Sequence, residues 1–143
     1  MDKKTFNRIT KEIFSQYGFS KQKNLYVLFL EDITIKVQFC SWRGVKYFCY
    51  GFFINKLYDS DIELIKTFDN IFEIKMEHDL CAKGYHRHEI LFEEYEENDY
   101  AELLMKMLHF YFDVYKENSL LFLKNNANDV YLSQKAKGYL GIT

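Results

Sequence analysis

Four residues between positions 78 and 88 carry side chains of the types that bind transition metals. His78, Cys81, His86 and His88 form an H-x2-C-x4-H-x-H pattern, which gathers three of the four histidines in the chain. Imidazole nitrogen and thiolate sulfur are the usual ligands of zinc, so four such groups converging from a turn could bind one ion. The spacing matches no standard zinc motif. The alternative, which we favour, is a polar loop whose histidines are solvated or bond to the backbone.

A second candidate site is the acidic run that follows this segment. Glu93, Glu94, Glu96 and Glu97, together with Asp99, place five carboxylates in seven residues. Such a patch could attract a basic partner or a cation, although a charged run is more often a solvated surface. A metal cage usually needs ligands from separate rigid elements, so we interpret the four glutamates as candidate partner-binding residues.

Trp42 and Arg43 form a third candidate site, in the connection 41–44 between two strand-like runs. Trp and Arg are the residue types that most often anchor protein–protein interfaces, and a turn would display both. The alternative is that the indole folds back over the edge of the sheet. If the pair is displayed, its chemistry points to a protein partner.

No residue pattern predicts catalysis or a cofactor. The chain has no G-x-S-x-G motif and no glycine-rich phosphate loop. It also lacks H-E-x-x-H, since residue 92, four positions after His88, is Phe. The formal net charge of -2 and the lack of a basic stripe argue against nucleic-acid binding. The longest apolar run, 47–54, is far shorter than the ~20 residues of a membrane span. We therefore expect a non-enzymatic protein without a cofactor, a nucleic-acid partner or a membrane partner.

The three cysteines, Cys40, Cys49 and Cys81, do not form a disulfide framework. Their number is odd and their spacing matches no disulfide-rich scaffold, so the sequence predicts reduced thiols. Cys49 lies inside an apolar run, where thiols usually pack inertly. No apolar stretch follows the charged N-terminal residues as it would in a signal peptide. These features predict a cytoplasmic protein, and the absence of proline beside abundant Lys, Asn, Ile, Phe and Tyr is typical of an AT-rich bacterial genome.

A hairpin near the middle of the chain is the main predicted element of structure. Apolar and polar residues alternate over 33–40, which predicts a strand with one buried face and one solvated face. The run 45–54 is apolar on both sides and predicts a central strand with both faces covered. Gly44 can supply a positive φ, so the connection predicts a hairpin loop of three to five residues.

Helical spacing of apolar residues predicts an N-terminal helix and a long C-terminal helix. The first spans 2–17 and ends at Gly18, with Phe19 reaching back to Phe14. The second starts near Asp99 and should cover one face of the sheet. The other predicted elements are strands over 25–30, 72–76 and 88–95, a short helix over 60–68 and a terminal helix over 129–139. The long helix is predicted either to run to about residue 124 or to break near 118–119. We therefore predict a single α+β domain over 1–143, an antiparallel sheet of about four to five strands with the two main helices packed on one face.

Three segments resemble an uncharacterised bacterial family, domain of unknown function 4304. They are Tyr17-Gly18-Phe19, Gln38-Phe39-Cys40-Ser41 and the aromatic run 47–54, with a looser echo at Cys81 and Arg87. The resemblance implies helices packed against a curved antiparallel sheet, and it implies no activity and no catalytic residues. Small folds of this kind recur among bacterial immunity proteins, which is an analogy of fold alone.

The function that we expect from the sequence is non-enzymatic binding of a protein partner in a bacterial cytoplasmic protein, in a role like that of an immunity protein. The protein would act as a monomer or a weak dimer. The alternative is a protein that binds a metal or a small molecule through His78, Cys81, His86 and His88. One version of this alternative is a hydrolytic enzyme.

Overall fold

A computed structural model describes residues 1–58, 73–78 and 88–142. In this part of the chain one helix precedes an antiparallel sheet of five strands, and a long and a short helix follow it. The helices are α1 (Lys3–Tyr17), α2 (Glu97–Asn125) and α3 (Gln134–Leu140), and the strands are β1 (Ser20–Gln22), β2 (Leu25–Phe29), β3 (Ile33–Trp42), β4 (Val45–Ile54) and β5 (Ile74–Lys75). Neighbouring strands in the sheet are also neighbours in sequence. The predicted α+β class is confirmed.

Helix α1 begins and ends as its sequence predicts. The carboxylate of Asp2 accepts a hydrogen bond from the backbone N–H of Thr5 at 2.8 Å and caps the N-terminus. At the other end Gly18 has a φ of 125°, and its N–H bonds to the carbonyl of Phe14. The rings of Phe14 and Phe19 lie 5.1 Å apart, as predicted for this type of helix stop.

Gly18 also allows a first testable prediction. Its φ is one that L side chains rarely adopt, so Gly18→Ala is expected to lower the free energy of unfolding by about 1–3 kcal/mol through backbone strain. The added Cβ would lie 3.5 Å from Leu28 Cδ1, an ordinary contact, so strain and not a clash is the cause. Urea denaturation followed by circular dichroism measures the loss. Gly138→Ala is the control, because its Cβ would meet open space within α3; equal losses in the two variants would contradict the prediction.

The central hairpin is longer and its loop tighter than the sequence predicts. Strands β3 and β4 pair residue for residue out to Trp42 opposite Val45. The loop consists of Arg43 and Gly44, whose φ values of 50° and 82° are both positive. Two positive φ values in succession form a two-residue hairpin turn, whose twist matches that of the strands. The predicted loop of three to five residues is therefore wrong.

Helices α1 and α2 pack against one face of the sheet, as predicted. The ring of Phe14 in α1 lies 5.6 Å from that of Phe48 in β4, and the ring of Phe112 in α2 lies 5.1 Å from that of Tyr50. Further side chains of this core are Phe6, Ile33, Ile35, Val37, Phe52, Ile54, Leu104 and Leu108. Because every second residue of β3 and β4 points to this face, the hairpin supplies half of its side chains to one core.

The long helix α2 is broken near its C-terminal end. Asn118 has φ -152° and ψ 78°, which lie outside the helical region. Its side-chain oxygen accepts a hydrogen bond from the N–H of Leu121 at 3.4 Å and so caps the second part of the helix. The helix still extends to Asn125, so both sequence alternatives, a break at 118–119 and an end near 124, are met in one element.

Several local predictions need correction. Residues 20–22 lie outside every strand that the sequence predicts, but they form strand β1, because an edge strand needs only backbone pairing with β2. Residues 88–95 were expected in a strand, but Phe92–Glu94 form a 3-10 turn. Helix α3 begins at Gln134 because Ser133 caps it, several residues after the predicted start. The predicted helix over 60–68 lies outside the described residues.

The sheet face opposite the helices is also largely buried. The sequence predicts a solvated face on β3 here, but Thr34 and Lys36 are buried, so the prediction is wrong for these two residues. The hydroxyl of Thr34 donates to the side-chain oxygen of Asn55 at 2.7 Å, and Lys36 Nζ lies 5.4 Å from the centre of the Phe53 ring. Burial lowers the pKa of Lys36, and Glu73 partly offsets this. The prediction that β4 is covered on both faces is confirmed by the burial of Cys49 and Phe53 beside the core residues.

Candidate functional site

The structure describes two of the four predicted metal ligands, His78 and His88, whereas Cys81 and His86 lie outside the described residues. The ring of His88 lies edge-on to that of Tyr47, with ring centres 5.5 Å apart. Because only two of the four residues are described, their convergence on a metal stays a prediction.

His78 has a structural role that the sequence left open as the alternative. It is buried, and its Nε2 lies 2.8 Å from the backbone carbonyl oxygen of Glu89. A carbonyl only accepts hydrogen bonds, so Nε2 carries the proton. The bond joins the segment after β5 to the segment before α2. Within the described ranges the second ring nitrogen, Nδ1, has no hydrogen-bond partner.

The four predicted glutamates line a cleft of about 580 Å³ between the start of α1 and the start of α2. The side chains of Glu93, Glu94, Glu96 and Glu97 are exposed. Asp2, which is more than 90 positions earlier in the chain, also lines the cleft. Sequence reasoning missed Asp2, because nothing in the local pattern indicates that the N-terminus meets the acidic run. The complete lining is Met1, Asp2, Thr5, Glu93, Glu94, Tyr95, Glu96, Glu97 and Asn98.

Buried aromatic residues hold the acidic run in place. The ring of Phe92 stacks on that of Phe6 in α1, with centres 4.5 Å apart. Tyr95 is buried too. Because Phe92 and Tyr95 both point inward, Glu93 and Glu94 between them point to solvent. The amino group of Met1 adds hydrogen bonds to the carbonyl oxygens of this segment at 3.2 to 3.4 Å.

The cleft is electronegative in its described lining. None of the lining residues in the described part of the chain is a lysine or an arginine, although the amino group of Met1 adds a positive charge. Arg8 forms an ion pair with Glu97 at 3.7 Å, and both side chains are more than half exposed. Hydrogen bonds from the backbone and side chain of Thr5 lower the pKa of Asp2, which therefore stays ionised at neutral pH. The five carboxylates of the lining outnumber the Met1 amino group and the Arg8 guanidinium, so the net charge of the cleft is negative.

Trp42 and Arg43 are displayed at the tip of the central hairpin, as a turn predicts. Trp42 is 61% exposed, so the alternative in which its indole folds over the sheet edge is wrong. The guanidinium carbon of Arg43 lies 5.4 Å from the centre of the indole ring, within the range of a cation–π contact. The exposure of the pair is established, and its role in partner binding stays a prediction.

The hairpin tip and the acidic cleft lie at the same end of the sheet. The N–H of Ile90 donates to the carbonyl of Lys46, near the start of β4, at 2.7 Å. The ring of Phe6 lies 5.0 Å from that of Phe39 in β3 and also stacks on Phe92. The segment that carries the glutamates is thus held against the half of the hairpin that ends in the tip.

A cluster of two thiols and one carboxylate lies on the sheet face opposite the helices. The sulfur atoms of Cys40 and Cys49 are 2.8 Å apart, and Cys49 Sγ lies 3.2 Å from a carboxylate oxygen of Glu73. One ligand atom from each of the three residues lies within 4.8 Å of the other two. Sequence reasoning treated the thiols separately. A two-residue turn sets Cys40 opposite Tyr47, and Cys49 is the next residue of β4 on the same face. The length of the turn would therefore have revealed the pair.

The two thiols have opposite tendencies to ionise. The hydrogen bond from Cys49 lowers the pKa of Cys40. The same hydrogen bond, together with burial and the contact with Glu73, raises the pKa of Cys49. Of the two thiols, Cys40 is therefore the more readily ionised. Gln38 donates to both carboxylate oxygens of Glu73 at 2.9 and 2.8 Å, which fixes the carboxylate beside the thiols.

Comparisons with protein-family models, with curated proteins and with solved structures find no match to this chain. The resemblance to domain of unknown function 4304 therefore stays a prediction. Among the helices that the structure describes, none combines the length and the apolar character needed to cross a membrane.

Proposed function

We propose that this protein is a non-enzymatic binding domain that recognises a basic segment of a partner protein. The observation that carries the proposal is the acidic cleft, to which Asp2 and four glutamates contribute carboxylates from two distant parts of the chain. Part of the same proposal is a bacterial, cytoplasmic protein that acts as a monomer or weak dimer.

The size and charge of the cleft support a basic ligand. Its volume of about 580 Å³ lies within the range that accommodates several side chains of a bound segment. Exposed carboxylates attract lysine and arginine at long range and raise the rate of association. Each exposed pair contributes roughly 0.2–1 kcal/mol, so affinity would require several pairs at once, as five converging carboxylates allow.

The hairpin tip supports a protein as the partner. An exposed Trp beside an Arg has the chemistry of an interface anchor, since the indole gains most from being buried by a partner. Because Trp42 lies at the same end of the sheet as the cleft, a single partner could bury the indole and place its cations among the glutamates. An immunity-type role, in which such a domain neutralises a basic effector protein, is one form of this function.

A charge-neutralised variant tests the proposal. Changing Glu93, Glu94, Glu96 and Glu97 together to Gln is expected to weaken binding of a fluorescent polyarginine peptide about tenfold or more, that is, by ~1.4 kcal/mol or more. The matched control changes four exposed acidic residues elsewhere to their amides: Glu31, Glu77, Glu117 and Asp129. Both variants alter the net charge equally, so only binding at the cleft separates them. Fluorescence anisotropy at low and physiological salt measures the affinities.

The control variant also defines the outcomes that contradict the proposal. Equal weakening in both variants would mean that the peptide senses net charge alone, and the cleft would have no special role. Absence of binding by the unchanged protein would contradict the proposal outright. Hydrogen exchange with the peptide bound should show protection at residues 1–5 and 93–98, and protection elsewhere would move the site.

A further inference from the structure

We propose that Cys40, Cys49 and Glu73 form a binding site for a thiophilic divalent cation, with zinc as the cellular ion. This site is independent of the acidic cleft, because it lies on the sheet face opposite the helices. It also differs from the histidine-rich pattern that the sequence singles out, with which it shares no residue.

The three side chains are a suitable ligand set for zinc. Thiolate sulfur and carboxylate oxygen bind zinc at about 2.3 Å and about 2.0–2.2 Å respectively. At the tetrahedral angle, two bonds of ~2.3 Å place their sulfur atoms roughly 3.8 Å apart. The sulfur atoms of Cys40 and Cys49 are 2.8 Å apart, so they must separate by about 1 Å to admit an ion. Cys40 is only half-buried, and a small rotation of its side chain provides this movement.

The ligands come from three neighbouring segments of the sheet, two of which are long paired strands. Cys40 is in β3 and Cys49 in β4, which are paired along their whole lengths. Glu73 immediately precedes β5, whose Lys75 lies opposite Cys49. A metal site needs ligands that separate elements hold in place. The acidic run does not meet this condition, because its carboxylates follow one another in one segment. Gln38 adds the hydrogen bonds that orient the carboxylate, as outer-shell partners do in metal sites.

The negative charges that the cluster carries when its thiols are deprotonated favour the binding of a cation. Metal binding requires both thiols to lose their protons, which would gather three negative groups on a partly buried surface. Among the described residues, Lys36 and Lys75 are cations on this face, and Lys75 Nζ lies 5.2 Å from the centre of the Tyr47 ring. A protonated lysine side chain has no lone pair, so neither lysine adds a ligand to the site. A divalent ion would offset two of these three negative charges and bridge the three side chains.

The coordination that results has an open position. Three protein ligands leave the fourth position of a tetrahedral zinc ion to water or another ligand. Glu73 is exposed, so this position is accessible from solvent. A disulfide between the cysteines is the competing use of the pair. We favour the metal because a carboxylate converges on the same thiols, and a disulfide requires no such group.

Cobalt titration of reduced, chelator-free protein tests the proposal. Co²⁺ is expected to bind with one ion per chain and to produce a thiolate-to-cobalt charge-transfer band that zinc abolishes by displacement. Cys40→Ser should lower the cobalt affinity at least about 100-fold, because loss of even an outer-shell partner costs about 10–100-fold. Glu73→Gln should weaken binding while it retains the thiolate band. Cys81→Ser is the matched control and should leave both affinity and spectrum unchanged.

The variants also distinguish the alternatives. Circular dichroism of each variant checks that the fold is intact. We chose Cys40 for substitution because it is only half-buried, whereas Cys49 is buried and its substitution is a greater risk to the fold. If Cys81→Ser abolished binding and Cys40→Ser did not, the metal would belong to the histidine-rich segment and the proposal would be wrong. No cobalt uptake by the folded, reduced protein would also overturn it, and would leave Cys40 and Cys49 as a thiol pair.

Discussion

Replacing Phe53 by alanine is expected to lower the free energy of unfolding by about 3–5 kcal/mol, the usual cost of truncating a buried aromatic side chain. Phe53 is 0% exposed although it lies on the sheet face that α1 and α2 do not cover. Its ring contacts the ring of Tyr58, with centres 5.4 Å apart, and Lys36 Nζ lies over it. Alanine would remove these contacts and leave a cavity beside a buried lysine.

Phe29→Ala is the control for this prediction. Phe29 and Phe53 both lie opposite Thr34, on its two sides, so the three residues form one row across the same face. Phe29 is 45% exposed, so its truncation should cost less than about 1.5 kcal/mol on the scale of apolar area buried. Urea denaturation followed by far-ultraviolet circular dichroism measures both losses. Equal, small losses would mean that this face is solvated, as the alternation in β3 first predicted.

Phe112→Ala is expected to have an effect of similar size on the other face of the sheet, a loss of about 3–5 kcal/mol. Phe112 is 0% exposed, and its ring centre lies 5.1 Å from that of Tyr50 and 5.4 Å from that of Phe19. It thus joins α2 to the sheet and to the end of α1. Since small domains are stable by only about 5–15 kcal/mol, this change should unfold a measurable fraction of the protein at moderate temperature.

Phe110→Ala provides a control in the same helix. Phe110 is 75% exposed, so its truncation should change the stability by no more than about 0.5 kcal/mol, as is usual for surface substitutions. Both variants remove the same atoms two positions apart in α2, and they share any change in helix propensity. Thermal and urea unfolding of the pair therefore isolate the packing of α2 on the sheet. A loss in Phe110→Ala as large as that in Phe112→Ala would contradict this packing.

The fold was largely predictable because its main signals are local. Apolar residues at helical spacing predict α1 and α2, since a helix must bury the stripe that these residues form. Gly18 and Phe19 predict the end of α1 because few residues other than glycine adopt its φ. The alternation over 33–40 predicts β3, and the glycine at 44 predicts the turn. Each of these inferences requires only neighbours in sequence.

The candidate sites were less predictable because they depend on residues distant in sequence. The acidic run was visible, but its partner Asp2 was not, since the stacking of Phe6 on Phe92 brings the two together. The thiol pair was hidden by an overestimated loop length, because the register of a hairpin depends on its turn. No local pattern connects Glu73 to these cysteines.

The sequence by itself determined which residues of α1, β3, β4 and α2 share a face, because the periods of helices and strands depend only on backbone geometry. Only the tertiary structure decided what covers each face and which chain segments meet. It buried Lys36 on the face of β3 expected to be solvated, and it joined the N-terminus to the glutamates. The physical reason is that burial depends on contacts across the whole chain, which the periodicity of one segment does not encode.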